Sequence, residues 1–247
     1  MSARRPVIGI LGGMGPEATV ELMRRVLLAT PAMDDSDHVH LLADSNPDVP
    51  SRIAALIDKT GESPEPELVR MAQRLRVGGA EALAIACNTA HAYAPAITHA
   101  VDIPLLDMIA LTAERIAAMA LRHRRVGLLA STAVVDLGLY HKAMAGRGIA
   151  VAVPRQQSAL VDIIKAVKRG RTGEATRQSF AQISSDLTTQ GVDLLLVACT
   201  ELSILADSIN PDTPCVDSLD VLVAEIVEFG TGRRDIAQDT ARGRSQR

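Results

Sequence analysis

Two cysteines follow apolar segments at matching places in this chain. The segment 82–86 (ALAIA) stops at Cys87, and the segment 193–198 (DLLLVA) stops at Cys199. A short apolar run that gives way to small polar residues is typical of an interior parallel strand that ends in a loop and turns into a helix. Open α/β sheets place their chemistry outside the carboxyl ends of such strands. The sequence therefore predicts two thiols at equivalent positions.

If these strand ends face each other across a cleft, the thiols approach a small ligand from opposite sides. One thiolate can then remove a proton from a carbon, and the other thiol can return a proton to the opposite face, which inverts the centre. Each cysteine precedes a predicted helix start, so we expect exposed amides to lower its pKa from about 8.5 toward neutral. Packing is the usual role of a buried cysteine. We assign that role to Cys215 and the acid-base role to Cys87 and Cys199.

A glycine-rich turn follows the first predicted strand. Segment 12–19 reads GGMGPEAT, in which the glycines permit a tight turn, Pro16 suits a first helical position and Glu17 complements the helix dipole. The resulting helix start has bare amides and is a predicted anion site, with an ordinary loop-to-helix turn as the alternative. Its spacing fits neither a Walker loop nor a dinucleotide-binding turn.

Arginine and histidine side chains near these turns form less specific patterns. Arg52 lies in the first turn of a predicted helix, where the dipole opposes a cation, which is consistent with an anionic partner, although a surface arginine is the commoner outcome. His38 and His40 alternate along one predicted strand, but their spacing matches no common zinc pattern, and we expect no metal. His91 lies four residues after Cys87, so its ring can lie one helical turn beyond the thiol.

The order of elements in the first half of the chain recurs from residue 126 onward. A strand with a polar turn, a strand ending in cysteine and a Pro-x-x-Asp segment, at 104–107 and again at 214–217, appear in each half. This recurrence predicts an α/β fold of two similar βα domains with parallel-rich sheets, related by pseudo-twofold symmetry, with the active site in the cleft between them. The predicted boundaries are 1–106 plus 217–230 for the first domain, 107–216 for the second, and 231–247 for a disordered tail.

The composition excludes several classes of function. A formal net charge of -3 and the absence of Trp give no electrostatic or stacking basis for nucleic-acid binding. No apolar run approaches the roughly 20 residues that span a bilayer, and the N-terminal MSARRP segment does not resemble a secretory signal. The 3 cysteines lack the spacing of a disulfide framework. We therefore expect a cytoplasmic protein that acts on a small molecule, without nucleic-acid or membrane partners.

Three motifs together resemble the aspartate/glutamate racemase family, whose enzymes use neither pyridoxal phosphate nor a metal. They are the turn at 12–19, CNTAH at 87–91 and CTEL at 199–202, and the resemblance extends from about residue 7 to residue 229. It implies that Cys87 and Cys199 are the paired acid and base. It also implies that the protein needs no cofactor and forms a homodimer.

The same resemblance implies roles for further residues. Arg52 and Lys168 correspond to the cations that hold the side-chain carboxylate of an acidic amino acid, and Lys165 is a less fitting alternative for the second. Glu201 is implied to contact the substrate ammonium or Thr200. The other predicted substrate-binding residues are Met14, from the glycine-rich turn, and four with amide or hydroxyl side chains that would hold the α-carboxylate: Asn88, Thr89, Ser131 and Thr200.

Two positions depart from the family pattern. Many relatives carry hydroxyl side chains where this chain has Val134 and Leu137. These changes leave the thiol pair intact, but a hydroxyl lost from the pocket wall could favour a different or bulkier substrate side chain. We predict a racemase of an acidic amino acid, aspartate before glutamate. The alternatives are a cysteine-dependent isomerase or lyase of dicarboxylates, of the maleate isomerase or malonate decarboxylase type, and a non-catalytic amino-acid-binding protein.

Overall fold

The computed structural model describes residues 5–233, which form two α/β halves, each built on a four-stranded sheet. The strands are β1 (Val7–Gly12), β2 (His40–Ser45), β3 (Ala82–Ile85), β4 (Leu105–Leu106), β5 (Arg125–Leu129), β6 (Ala150–Ala152), β7 (Leu194–Val197) and β8 (Cys215–Asp217). Their orders are β2-β1-β3-β4 and β6-β5-β7-β8, so corresponding strands hold corresponding places, and the recorded strand pairs are parallel. The predicted α/β fold of two similar domains is confirmed.

Helices cover the faces of both sheets. They are α1 (Pro16–Ala29), α2 (Glu65–Val77), α3 (Ala94–Ala100), α4 (Met108–Ala117), α5 (Thr132–Asp136), α6 (Leu139–Ala145), α7 (Gln157–Val167), α8 (Glu174–Thr188), α9 (Thr200–Ser203) and α10 (Ser218–Gly230). A π-helix spans Ala54–Asp58, and 3-10 helices span Asp35–Asp37, Thr89–Tyr93 and Ala206–Ser208. Within residues 5–233, the helices are too short or too polar to cross a membrane.

The central strands read as continuous apolar runs because helices cover both of their faces. Every residue of β3 and of β7 is buried, and the strands on either side shield their edges. This is the expected pattern for a parallel sheet enclosed on both sides. It explains why each cysteine motif stands directly after an unbroken apolar segment.

The last helix returns from the second half of the chain to the first sheet. β8 pairs with β7, whereas α10 packs against α1 and α4 and places Leu222 and Ile226 in one core with Ile8 and Leu22. The first sheet is thus covered in part by α10, a helix that follows the last strand of the second sheet in the sequence. The domain boundaries stay a prediction, and the predicted disordered tail lies outside the described residues from position 234 onward.

Candidate active site

Loops that follow four strand ends meet in the cleft between the halves. Met14 follows β1 and Cys87 follows β3 in the first half, while Ser131 follows β5 and Cys199 follows β7 in the second. One cavity is lined by all the residues predicted from the sequence: Met14, Arg52, Cys87, Asn88, Thr89, Ser131, Lys168, Cys199, Thr200 and Glu201. Carboxyl ends of parallel strands are the usual place for a ligand site in such folds.

The two thiols come from different halves and both line this cavity. Cys87 is 8% exposed and Cys199 is 7% exposed, and neither is in a disulfide. Cys215 is also free, but it is exposed at the start of β8, an edge strand. The prediction that Cys215 packs in the interior is therefore wrong, because an edge strand of three residues leaves its first side chain uncovered.

Glu201 is the hydrogen-bond partner of the Cys199 thiol. The Cys199 Sγ donates to Glu201 Oε2 across 3.1 Å. Burial, and then the charge of Glu201, raise the pKa of Cys199 well above its usual value. The predicted lowering of this pKa is wrong for Cys199, because α9 is a helix of four residues and its weak dipole is outweighed by desolvation and the adjacent carboxylate.

The second oxygen of Glu201 lies near Lys168, from its own half, and near the start of α1, from the other half. Glu201 Oε1 lies 3.4 Å from Lys168 Nζ and has no hydrogen-bond partner among the described residues. It also lies 3.7 Å from where a Cβ would stand on Gly15, the residue that precedes α1 and that provides no side-chain cap. The bare start of α1, predicted to be an anion site, therefore lies beside a carboxylate of the protein itself.

The glycine-rich turn can be built only with glycine at its second position. Gly13 has a φ of 84°, and a Cβ there would lie 2.3 Å from the backbone of Asn46. Thr19 closes the turn from α1, because its Oγ1 accepts the Gly13 amide at 2.9 Å. This close approach of the loop after β2 sets Met14 and the start of α1 at the cavity.

Arg52 presents a guanidinium that no acidic side chain neutralises within the described part of the chain. Its Nη1 donates to the carbonyls of Val49 and Pro50, at 3.2 and 3.0 Å, and its Nη2 donates to the carbonyl of Met14 at 3.1 Å. Its Nε is buried and has no partner there. Backbone carbonyls thus orient this cation, and its charge remains available in the cavity.

The predicted hydroxyl side chains make contacts that connect the two halves. Thr89 Oγ1 lies 3.5 Å from Ser131 Oγ, and Thr200 Oγ1 lies 3.5 Å from the carbonyl oxygen of Ala86. Both contacts are at the long limit of a hydrogen bond. These hydroxyls are therefore weakly engaged and can turn toward a ligand.

The Asn88 side chain is held by two residues that the sequence did not single out. Its Oδ1 accepts the Tyr140 hydroxyl at 2.7 Å, and its Nδ2 lies 3.3 Å from Ser218 Oγ. Burial raises the pKa of Tyr140, so its phenol stays a donor. The amide oxygen of Asn88 is therefore occupied, and the Nδ2 group is the part that can reach a ligand.

An apolar wall completes the cavity. Val134 lies on it, as the departure from the family pattern led us to expect, together with Ile53 and Ile164, whereas Leu137 does not line the cavity. The sequence did not identify Ile53 or Ile164, because an apolar residue at helical spacing has the same pattern as a core residue. Ser51 and Ala198 also line the cavity, and no sequence pattern indicated that they belong to the site.

Comparison with known proteins places the chain in a family. The model of the Asp/Glu/Hydantoin racemase family matches residues 11–226. The broad specificity amino-acid racemase RacX of Bacillus subtilis (strain 168) is 27% identical over 217 residues, which cover 86% of this chain and 92% of that protein. The glutamate racemase of Latilactobacillus sakei is 31% identical over 178 residues, which cover 69% of this chain and 64% of that protein.

A solved structure agrees with these relatives. Picrophilus torridus aspartate racemase superposes with a TM-score of 0.82 at 30% identity, over 90% of this chain and 93% of that one. The range matched by the family model, 11–226, includes both cysteines, Cys87 and Cys199. The chain therefore belongs to the Asp/Glu/Hydantoin racemase family and is an amino-acid racemase.

Proposed function

We propose that the protein interconverts the L and D forms of an acidic amino acid, aspartate before glutamate, without a cofactor. Cys87 and Cys199 serve as the paired acid and base. The observation that carries this proposal is a single cavity that holds one free thiol from each half together with a guanidinium that lacks an acidic partner in the described chain. The aspartate racemase of Picrophilus torridus, at 30% identity, supports aspartate as the first candidate.

The α-proton of an amino acid is far less acidic than a thiol, so the carbanion must be stabilised. Hydrogen-bond donors aimed at the α-carboxylate can do this in a site that excludes water. The Nδ2 group of Asn88 and the hydroxyls of Thr89, Ser131 and Thr200 line the cavity between the two cysteines. We assign these four groups to the α-carboxylate.

Glu201 has a role in the proton transfers at Cys199. The thiol must lose its proton before it can act as a base, and Glu201 Oε2 is already its acceptor at 3.1 Å. When Cys199 acts as an acid, the same contact holds it as a thiol. Glu201 Oε1, which is ion-paired with Lys168 but has no hydrogen-bond partner within residues 5–233, is the acceptor that we assign to the substrate ammonium, as the family resemblance implied.

The distal carboxylate of the substrate is assigned to Arg52 and Lys168. Both line the cavity, whereas Lys165 does not and lies 3.8 Å from Asp162 with 61% of its side chain exposed. Arg52 keeps one Nη2 hydrogen beyond its bond to the Met14 carbonyl, so it can donate a charge-assisted hydrogen bond to a carboxylate. With Arg52 and Lys168 in the cavity, we expect the site to prefer a substrate with an acidic side chain.

A second candidate function is the racemisation of amino acids whose side chains carry no carboxylate. Val134, Ile53 and Ile164 give the cavity an apolar wall, and RacX of Bacillus subtilis, a relative at 27% identity, is a broad specificity enzyme. Apolar wall residues accept methylene groups and discriminate weakly between side chains that differ by one or two of them. The rates with aspartate, glutamate and neutral amino acids decide between the two candidates.

Purified protein is expected to invert both L-aspartate and D-aspartate in heavy water, with deuterium entering at Cα. The deuterium comes from thiols that exchange with solvent. Proton NMR of the α-position and chiral chromatography measure uptake and inversion together. A binding protein would show neither, and turnover of maleate or a malonyl compound without inversion of amino acids would indicate one of the other enzyme types.

The variants Cys87→Ser and Cys199→Ser are each expected to lower inversion by at least about a hundredfold, because one face of the substrate loses its acid or base. The remaining thiol should still exchange the α-proton of one enantiomer, with opposite preferences in the two variants. Cys215→Ser is the control and should behave as the parent, since Cys215 is outside the cavity. Full racemase activity in either of the first two variants contradicts the two-thiol mechanism.

Replacement of Arg52 or Lys168 by Met is expected to weaken kcat/KM for aspartate by about 2 kcal/mol, or roughly 30-fold, the usual cost of a lost charge-assisted hydrogen bond. Lys165→Met is the matched control and should leave the kinetics unchanged. Steady-state kinetics with aspartate and with a neutral amino acid measure the effect. Unchanged aspartate kinetics in both Met variants would show that other cations hold the substrate.

Replacement of Glu201 by Gln is expected to lower the pKa of Cys199, because the carboxylate charge contributes to raising it, and to slow racemisation, because the proton acceptor is lost. The rate of alkylation by iodoacetamide against pH reports this pKa in a Cys87→Ser/Cys215→Ser background, which leaves Cys199 as the only thiol. Glu174→Gln, on α8, is the control. An alkylation midpoint that stays constant or rises would contradict the assigned electrostatics.

A homodimer is part of the proposal, and α1 offers an apolar surface for it. Val20, Leu27 and Leu28 are 65%, 52% and 68% exposed there. Light scattering at micromolar concentration is expected to report twice the chain mass of 26.2 kDa, and Val20→Lys/Leu27→Lys should reduce it to one chain. A monomeric parent protein rejects the dimer, and a dimeric double variant rejects this surface.

We also keep the cytoplasm as the proposed location. Both thiols must be reduced for the mechanism, and cytosolic conditions keep them so. Cys87, Cys199 and Cys215 are all free in the structure. Cell fractionation locates the protein directly, and its recovery from an oxidising compartment would contradict this location.

A further inference from the structure

We infer that His91 and Ser203 are matched positioning residues, each of which holds one of the two thiols by tying the cysteine loop to the start of the next long helix. The inference rests on the proposed two-thiol function. It concerns residues that lie outside the cavity lining and act through Cys87 and Cys199. Both stand four residues after their cysteine, at the same place in the internal repeat.

In the first half, the bridge is an imidazole. His91 is 5% exposed, its Nε2 accepts the Met108 amide at 3.2 Å, and its Nδ1 lies 2.9 Å from the carbonyl oxygen of Cys87. Because Nε2 is an acceptor, Nδ1 carries the hydrogen and donates to Cys87. Burial lowers the pKa of His91, which keeps the ring neutral. Both ring nitrogens are occupied, so His91 positions the thiol loop and does not transfer protons.

In the second half, the bridge is a hydroxyl. Ser203 Oγ donates its single hydrogen to Asp217 Oδ1 at 2.7 Å, and the Ser203 backbone amide donates to the carbonyl oxygen of Cys199 at 3.1 Å. Asp217 caps α10 by accepting the Leu219 amide at 2.9 Å. Arg25, from α1, donates to Asp217 Oδ2 at 2.7 Å and to the carbonyl of Ser203 at 2.5 Å. This bridge therefore joins the Cys199 loop to α10 and to the first half.

The two bridges reach the same structural point by different chemistry. α4 and α10 each begin directly after a Pro-x-x-Asp segment, with Asp107 and Asp217 as their caps. His91 contacts the first residue of α4, and Ser203 contacts the cap of α10. In each case the residue also reaches back toward the carbonyl of its own cysteine.

A misplacement of about 1 Å at a reacting group can lower a rate by about a hundredfold, which is why a thiol loop needs such a bridge. The backbone around each cysteine is short and loop-like, with a 3-10 helix after Cys87 and the four-residue α9 after Cys199. Neither short helix can fix a side chain by its own hydrogen bonds. The bridges supply that constraint from the longer helices α4 and α10.

The test compares His91→Ala and Ser203→Ala through the primary isotope effect on kcat/KM, measured with α-deuterated L- and D-aspartate. Loss of one bridge slows the proton transfer at one thiol, so the isotope effect should rise for one enantiomer and fall for the other. The two variants should show opposite patterns, with kcat/KM lowered by about 10- to 100-fold. In each, the enantiomer with the larger effect should be the one whose α-proton exchange is lost when the bridged cysteine is replaced by Ser.

Conservative variants and a matched control separate positioning from loss of stability. Ser203→Thr keeps a hydroxyl and His91→Gln keeps an acceptor for the Met108 amide, so both should recover part of the rate. Ser184→Ala removes another buried serine hydroxyl, bonded to the carbonyl of Phe180 four residues earlier in α8, and should leave both isotope effects unchanged. If His91→Ala does not fold, His91→Gln and the Ser203 variants still decide the matter.

Two outcomes overturn different claims. Equal isotope effects for both enantiomers in the His91 and Ser203 variants, with face-specific exchange intact in the single-cysteine variants, would overturn the positioning roles alone. Racemase activity that survives in Cys87→Ser or Cys199→Ser would overturn the proposed function itself. Opposite isotope patterns in the two bridge variants support both.

Discussion

The buried contact between the Cys199 thiol and the Glu201 carboxylate is the interaction around which this site is built. A carboxylate that is 6% exposed is costly unless cations or dipoles compensate it. Here Lys168 and the bare start of α1 surround it from opposite halves of the chain. The cost of burying the Glu201 carboxylate thus explains why the start of α1, from the first half, and Lys168, from the second half, meet at the cavity.

The two halves share a topology but not an electrostatic character. The loop after β3 presents neutral side chains, Asn88 and Thr89, whereas the loop after β7 presents Thr200 and the charged Glu201. The substrate of an amino-acid racemase carries an ammonium and a carboxylate on its reacting carbon. An internally repeated fold can bind such an unsymmetrical ligand only if the repeats diverge at the strand ends, and these loops are where they do.

Sequence patterns predicted the strand ends and the two cysteine loops, and the family resemblance supplied the other candidate residues that line the cavity, but neither predicted the contacts between them. Apolar runs followed by Cys87 and Cys199 placed both loops correctly, because strand ends in parallel sheets follow directly from such runs. Contacts such as Tyr140 with Asn88 depend on how the halves meet, which no local pattern encodes. The pKa of Cys199 was mispredicted for the same reason, since burial and Glu201 outweigh the local helix start.

The two cations of the cavity differ in what they can offer an incoming carboxylate. Lys168 already shares its charge with Glu201 at 3.4 Å and is 43% exposed, so its attraction is partly compensated and partly screened. Arg52 is oriented by three backbone carbonyls, which accept hydrogen bonds without cancelling its charge. In the proposed function, an acidic substrate therefore gains most from Arg52. A substrate with a neutral side chain would leave that guanidinium without a counter-charge. Arg52 therefore disfavours the neutral side chains that the apolar wall could accommodate.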